Sequence, residues 1–392
     1  MIEQAETAAK SGAYRFHPPF RLLSRLGTVD IRDIEIPDNR GWMTPISISR
    51  SPGAARPLIV LLGGGIGEAA TASQGWAMTR LVSPILEKAD LLFVDPAGTG
   101  FGQSSSVTRI SDVENDAAIT AHTIIRWLEL AEARPSRIIL LGEDYGGRRA
   151  TNVLNHLYRL PAAMPSRLIL MDSCLNPAMD TLAPANPPAY AIAFPTLVAQ
   201  AWSRHRRGSL GQRVEEARGL ALARIVPALM RGSRFPAEER AALRRQMVAL
   251  VEVEELAARI GVDLKVDLPA PPVTNDAARA TVGALLGFDG GYTARNPEIV
   301  RRWDWWSGKG RLDFENLDAA TDLLTAMARQ DDLKVLLLTS AFNTRTPAFA
   351  SELSLRDLPG DRVAVRSLAT DRLNGSRLEP AALSAIGAFV VG

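Results

Sequence analysis

Gly142-Glu143-Asp144-Tyr145-Gly146-Gly147 decides how this chain is read. It follows the apolar run Ile138-Ile139-Leu140-Leu141 and precedes a helical pattern beginning near Arg149. A buried strand, a sharp glycine-flanked turn and a helix are the setting of a nucleophile elbow. Such an elbow carries a serine at its apex, and here the apex is Asp144.

The same rhythm recurs on both sides. Pro57-Leu58-Ile59-Val60-Leu61-Leu62 reads as a buried strand and ends in Gly63-Gly64-Gly65-Ile66-Gly67. Leu91-Leu92-Phe93-Val94-Asp95 is closed by Pro96-Ala97-Gly98-Thr99-Gly100. A helix is predicted over Val113 to Ala131, capped by Ser111 or Asp112. Further strands are expected at Leu168 to Asp172, Lys334 to Leu338 and Arg362 to Val365, and a last helix over Pro380 to Val391. Upstream, Thr28 to Ile31 and Thr44 to Ile48 suggest an antiparallel edge meander. Between Asn176 and Gly310 the pattern is helical, with proline-rich joints at 184–188 and 269–272. Buried strands alternating with helices define an α/β fold with a mostly parallel sheet flanked by helices, carrying an inserted helical cap. The expected division is a core over 1–175, a cap over 176–310 and a second part of the core over 311–392.

Composition narrows the function. The 392 residues carry a net charge of only +2, which gives no global case for nucleic acid. The basic cluster Arg204-His205-Arg206-Arg207 reads as a solvated face. Cys174 is the only cysteine, so an intrachain disulfide and a cysteine metal site are excluded. Met1 to Lys10 is polar and does not read as a signal peptide. No apolar run reaches the ~18 residues of a membrane span. A cytoplasmic protein without a membrane partner is expected. No Walker loop, dinucleotide fingerprint or metal-ligand spacing occurs, so neither cofactor nor metal is expected.

In such a fold the glycine loops and the elbow meet at the carboxyl ends of adjacent strands. Backbone N–H groups of Gly64, Gly65 and Tyr145 can then face a developing oxyanion, each worth about 3 kcal/mol where acyl chemistry occurs. The bland alternative is that these glycines only permit tight turns.

These motifs together resemble the serine carboxypeptidase family, and within it the bacterial branch of that α/β-hydrolase group. Gly64-Gly65-Ile66-Gly67 stands where that family has Asn-Gly-Gly-Pro-Gly. Asp95-Pro96-Ala97-Gly98-Thr99-Gly100-Phe101 is similar to its Asp-Pro-Val-Gly-Thr-Gly-Phe/Tyr stretch. Gly142-Glu143-Asp144-Tyr145-Gly146 is similar to Gly-Glu-Ser-Tyr-Gly apart from the apex. Ala189 to Trp202 resembles the start of the family's cap, and Leu333 to Pro347 its triad-acid strand and loop. The likeness runs from about Phe16 to the C-terminus. It implies an α/β-hydrolase fold, with a triad whose three positions are all altered. The serine becomes Asp144. The acid becomes Asn343, in Phe342-Asn343-Thr344-Arg345-Thr346-Pro347. The histidine falls by register on Arg372, and no histidine follows His205. The substrate-binding asparagine of the first loop becomes Gly63, leaving Glu143 from that recognition pair.

Serine hydrolysis needs a hydroxyl, a base and an acid that orients the base. All three are replaced. An aspartate nucleophile would need a histidine-activated water to release its ester, which a guanidinium cannot supply. A carboxylate at a helix N-terminus, with a cation across the pocket, suits proton transfer. The family's relatives include acyltransferases and a hydroxynitrile lyase, so a cyclase, isomerase or lyase of small-molecule biosynthesis is expected, with Asp144 moving the proton and Arg372 supplying charge. Its partner would be a partly apolar small molecule. Glu143, Glu68 and Trp305 are the expected substrate contacts, Trp305 within an aromatic group that includes Trp303, Trp306, Tyr292 and Phe288. Two alternatives stay open: a catalytically silent binding protein, in which Asp144 is merely paired, and a hydrolase with Asp144 as nucleophile. Asp95 and Asp116 read as structural, His122 as a satisfied histidine, and Arg148 and Arg149 as helix surface.

Overall fold

The computed structural model describes residues 26–71, 82–158, 164–269, 293, 295–304, 318–371, 373 and 380–392. The strands are β1 (Thr28–Ile31), β2 (Ile34–Ile36), β3 (Gly41–Met43), β4 (Ile46–Ser49), β5 (Pro57–Leu61), β6 (Asp90–Phe93), β7 (Gln103–Ser104), β8 (Arg137–Glu143), β9 (Pro165–Met171), β10 (Lys334–Ser340) and β11 (Val363–Leu368). Eight of them form one sheet in the order β1-β4-β6-β5-β8-β9-β10-β11. From β6 to β11 all neighbours are parallel, and β4 and β1 add an antiparallel edge.

The sheet is apolar on both faces because helices cover both. Along β5 the alternation is direct: Leu58 and Val60 enter one core, Ile59 and Leu61 the other. The first core is closed by α1 (Val113–Leu130), α2 (Tyr145–Leu157) and, later in the chain, residues 319–327. Asp112 caps α1 by accepting the Asn115 N–H at 2.8 Å, one of the two caps expected.

Between β9 and β10 the described chain is mainly helical. It includes α3 (Pro187–His205), α4 (Leu210–Leu220) and α5 (Ala237–Val251). Their apolar faces make a third core with Cys174, Phe349 and Ala350. Arg218 of α4 fastens this layer to α7 (Ala348–Ser354), which follows α6 (Ala319–Arg329), through a 2.6 Å ion pair with Glu352 and a guanidinium over the Phe349 ring. The chain closes with α8 (Pro380–Val391).

The expected antiparallel edge is present: β1 and β4 pair with each other at the edge of the main sheet, while β2 and β3 join β7 in a separate three-stranded sheet. One reading needs correction. Arg148 and Arg149 are buried, at 3% and 1% exposure, rather than on a helix surface. The sequence shows two polar residues, but the short-sided Gly146-Gly147 turn draws this helix face into the core.

Candidate active site

Parallel pairing of Leu61 with Leu141 brings the ends of β5 and β8 side by side. The chain leaves β5 through Gly63 and leaves β8 through Asp144, so loop and elbow pack directly together. A Cβ on Gly146 would lie 1.8 Å from the Leu62 carbonyl oxygen and 3.1 Å from the Gly63 Cα. Only glycine permits that approach.

Asp144 sits at the apex with φ 54° and ψ −124°, strained backbone for a side-chain-bearing residue. The turn is fixed by its N–H donating to the Met171 carbonyl at 3.0 Å and by the Gly147 N–H donating to its carbonyl at 3.2 Å. Its carboxylate pairs with Arg345, Nη2 to Oδ2 at 3.1 Å. The Arg345 side chain is 46% exposed, so the pair contributes about 0–1 kcal/mol and opens at little cost.

Asn343 aims that arginine. Its side-chain oxygen accepts the Arg345 N–H at 2.9 Å and the Thr346 N–H at 3.3 Å, an Asx turn that fixes the loop. Gln200 of α3 donates to the Phe342 carbonyl at 3.2 Å, tying the helical layer to the same loop. The residue at the expected acid position thus orients the cation that meets Asp144. Nothing in Phe342 to Pro347 marks Arg345 as the partner of Asp144, because a turn's direction depends on contacts the local sequence does not show.

Glu143 ends β8 and is 1% exposed. Tyr145 opens α2, where backbone N–H groups point out of the helix end. Its ring stands edge-on to Trp303, with centroids 5.2 Å apart. Its hydroxyl donates to Asp116 at 3.4 Å, and Asp116 also binds Arg149 at 2.7 Å. Burial raises the Asp116 carboxyl and, well above its ordinary value, the Tyr145 phenol; the Arg149 guanidinium opposes both.

The glycine loops are held by Thr293, Arg295 and Asn296. Gly100 and Thr293 exchange backbone hydrogen bonds at 2.9 and 2.8 Å. The Asn296 N–H donates to the Gly67 carbonyl at 2.8 Å, and its side-chain amide to the Gly98 carbonyl at 3.2 Å. Glu68 and Arg295 form a β-bridge, and their side chains pair at 3.6 Å. The other oxygen of Glu68 accepts the Gly65 N–H at 3.3 Å. Asp95 is a structural anchor, accepting the N–H and hydroxyl of Thr71 at 2.8 and 2.7 Å.

Arg372 and Trp305 lie outside the described residues, as do Trp306, Tyr292 and Phe288. Leu373, the neighbour of Arg372, donates its N–H to Asp172 at 2.7 Å; Asp172 also accepts the N–H and hydroxyl of Ser340. His122 contacts the Glu35 carbonyl, His156 pairs with Glu114 at 3.3 Å, and His205 is exposed.

A second carboxyl has no signal in the local sequence. Asp180 follows a short 3₁₀ turn (Pro177–Met179) and lies close to Asp144, Arg148 and Cys174. Burial, then the charge of Asp144, raises it to about 7 from the ordinary 3.8, against the pull of Arg148. Burial also pushes the Cys174 thiol well up. A raised folded pKa means that Asp180 contributes stability present in full below about pH 4 and lost as pH rises through about 7. In urea titrations from pH 4 to 8, wild type should therefore lose stability relative to Asp180→Asn. A difference independent of pH would refute that burial.

Among the described residues, no group of three or more His, Cys, Asp or Glu is placed to hold a metal ion, and no helix is long and apolar enough to cross a membrane.

Comparison places this arrangement in a known class of folds. The prohormone-processing carboxypeptidase Kex1Δp of Saccharomyces cerevisiae superposes with a TM-score of 0.50 at 13% identity, covering 88% of this chain and 80% of that one. The serine hydrolase CCSP0084 of Cycloclasticus zankles gives a TM-score of 0.49 at 11% identity, covering 93% and 99%. No family model matches the sequence, and no curated protein matches it. The chain has an α/β-hydrolase fold.

Proposed function

We propose that this is a serine-carboxypeptidase-like protein whose three triad positions hold Asp144, Arg372 and Asn343. We further propose that it is a cofactor-independent, non-hydrolytic acid–base enzyme acting on a small, partly apolar molecule in the cytoplasm, with its core over 1–175 and 311–392 and its cap over 176–310. The observation carrying this reading is Asp144, held at a strained elbow apex and paired at 3.1 Å with a half-exposed arginine. Strain of about 1–3 kcal/mol is retained where a side chain must be presented to a ligand. An aspartate there is acceptor-only while ionised, and its weak pairing lets a substrate take Arg345.

In the proposed reaction Asp144 accepts a proton from a carbon acid. The electron pair left on carbon moves onto the adjacent oxygen, which the Gly65 and Tyr145 N–H groups and Arg345 stabilise. Return of the proton to another atom gives isomerisation or cyclisation; expulsion of a leaving group gives elimination. Asp180, raised to about 7 and so partly protonated near neutrality, can return a proton that Asp144 removes.

A panel of simple ketones, lactones and carboxylic esters in D₂O, followed by NMR, reads this chemistry without knowledge of the natural substrate. Wild type should exchange α-protons of at least one class and leave nitrophenyl esters and blocked dipeptides intact. Asp144→Asn should lower exchange by at least ~10²-fold. Equal rates in the two proteins would remove Asp144 from the mechanism. A silent binding protein is the second reading, favoured by the protein's own side chains occupying Asp144 and the Gly65 N–H; no exchange with any class would support it. An ester on Asp144 detected by intact mass would instead support the aspartate-nucleophile hydrolase.

A further inference from the structure

We propose that the outer face of the helical run continuing α4 is a peripheral docking surface, and that it rests on an anionic phospholipid bilayer. After α4 the chain runs on through a π-helical turn (Ala221–Ile225) and a helix (Val226–Arg231). Ala221, Ile225, Ala228 and Leu229 face inward and are buried in the third core. Leu222 and Met230, two helical turns apart, share the outer face with the exposed Ala223 and Pro227, and the half-buried Val226 lies between them. Leu222 is 50% exposed and Met230 65%. Apolar residues exposed singly are ordinary on a protein surface, whereas a stripe of them along one helix face marks an interaction site.

Charge around the stripe selects the partner. No acidic residue occurs from Ala217 to Ala237, while Arg224, Arg231 and Arg234 are exposed. Among the described residues none of these three forms an ion pair: Arg224 donates to the Gln246 side-chain oxygen at 2.7 Å, and Arg231 lies over the Phe235 ring, 5.3 Å from its centroid. Arg240 of α5 adds a cation at the end of the run, donating to the Gly232 and Phe235 carbonyls at 2.8 and 3.0 Å. The carboxylates nearest along the chain, Glu215 and Glu216 before and Glu238 and Glu239 after, bound the stripe and do not interrupt it. Apolar side chains flanked by arginines match the acyl boundary and the anionic headgroups of a membrane surface. A second copy is a poor fit, because a two-fold contact would set this basic face against itself. Protein partners are gripped chiefly through aromatic anchors, and the exposed stripe has none. The length argument against a membrane span does not reach a helix that lies in the interface.

Vesicle co-sedimentation tests this directly. The full chain should bind phosphatidylcholine vesicles containing about one-third phosphatidylglycerol, bind phosphatidylcholine alone far more weakly, and lose affinity as salt is raised. Leu222→Ser with Met230→Ser should weaken binding on the order of tenfold, since both side chains lose their apolar contact. Arg231→Gln with Arg234→Gln should weaken it by a similar factor, and it carries the test if the serine pair does not fold. Leu324→Ser, at an exposed leucine of α6, should bind as wild type. Three results would overturn the proposal: no binding to the anionic vesicles at low salt, equal binding to both vesicles, or a folded serine pair that binds like wild type. A dimer in sedimentation velocity that the serine pair abolishes, without lipid binding, would overturn it in favour of a second copy. Asp144→Asn should bind vesicles as wild type does, so this result stands apart from the proton-transfer reading.

Discussion

Asp116→Ala should lower stability by about 3–5 kcal/mol, the usual effect of removing one partner of a buried ion pair. Asp116 and Arg149 are 4% and 1% exposed, and their 2.7 Å contact crosses between α1 and α2. Without the carboxylate, a guanidinium stays buried over the Tyr145 ring, 5.1 Å from its centroid, and the Tyr145 hydroxyl loses its acceptor. Total stability of a domain is about 5–15 kcal/mol, so the loss is a large share. Replacing both partners removes the stranded charge. Asp116→Leu with Arg149→Met should therefore recover most of the deficit in a urea titration. A single variant within about 1 kcal/mol of wild type would show that the pair does not hold the elbow helix in place.

Gly146→Ala should be comparably damaging, for a steric reason. The added Cβ would come within 1.8 Å of the Leu62 carbonyl oxygen, 2.9 Å of its carbon and 3.1 Å of the Gly63 Cα. All three are backbone atoms at the end of a central strand, so no side chain can swing away. Overpacking of this kind costs about 3 kcal/mol or more. Gly219→Ala is the control, because a Cβ there meets nothing within 4 Å. If both variants melt together, β5 and the elbow are not packed as described.

Much of the frame is legible in the sequence, and the reason is physical. Central parallel strands are buried on both faces and read as unbroken apolar runs, as Ile138 to Leu141 and Leu58 to Leu62 do. The elbow is legible because its glycines answer a steric demand. α8 runs over Pro380–Val391 as expected. What the sequence hides is pairing at long range. Arg345 meets Asp144 across 201 positions, and the burial of Arg149 depends on Asp116, 33 positions away. Propensity treats an arginine as a surface residue until its partner is known. Asn296 shows the same limit: a polar residue before a proline gives no sign that it holds two distant turns. The short β2 and β3 went to a separate sheet because strands of three residues carry too little pattern to fix a partner.

The contacts around the two glycine turns form a closed circuit. Thr71 is fastened to Asp95, the turn after Asp95 to Thr293 and Asn296, and Asn296 and Arg295 back to Gly67 and Glu68, the latter three residues before Thr71. A ring of this sort behaves as a collar. Strain introduced at any link is shared around the whole perimeter, and slack at one link loosens all the others. Engineering these turns therefore means altering opposite sides of the collar together.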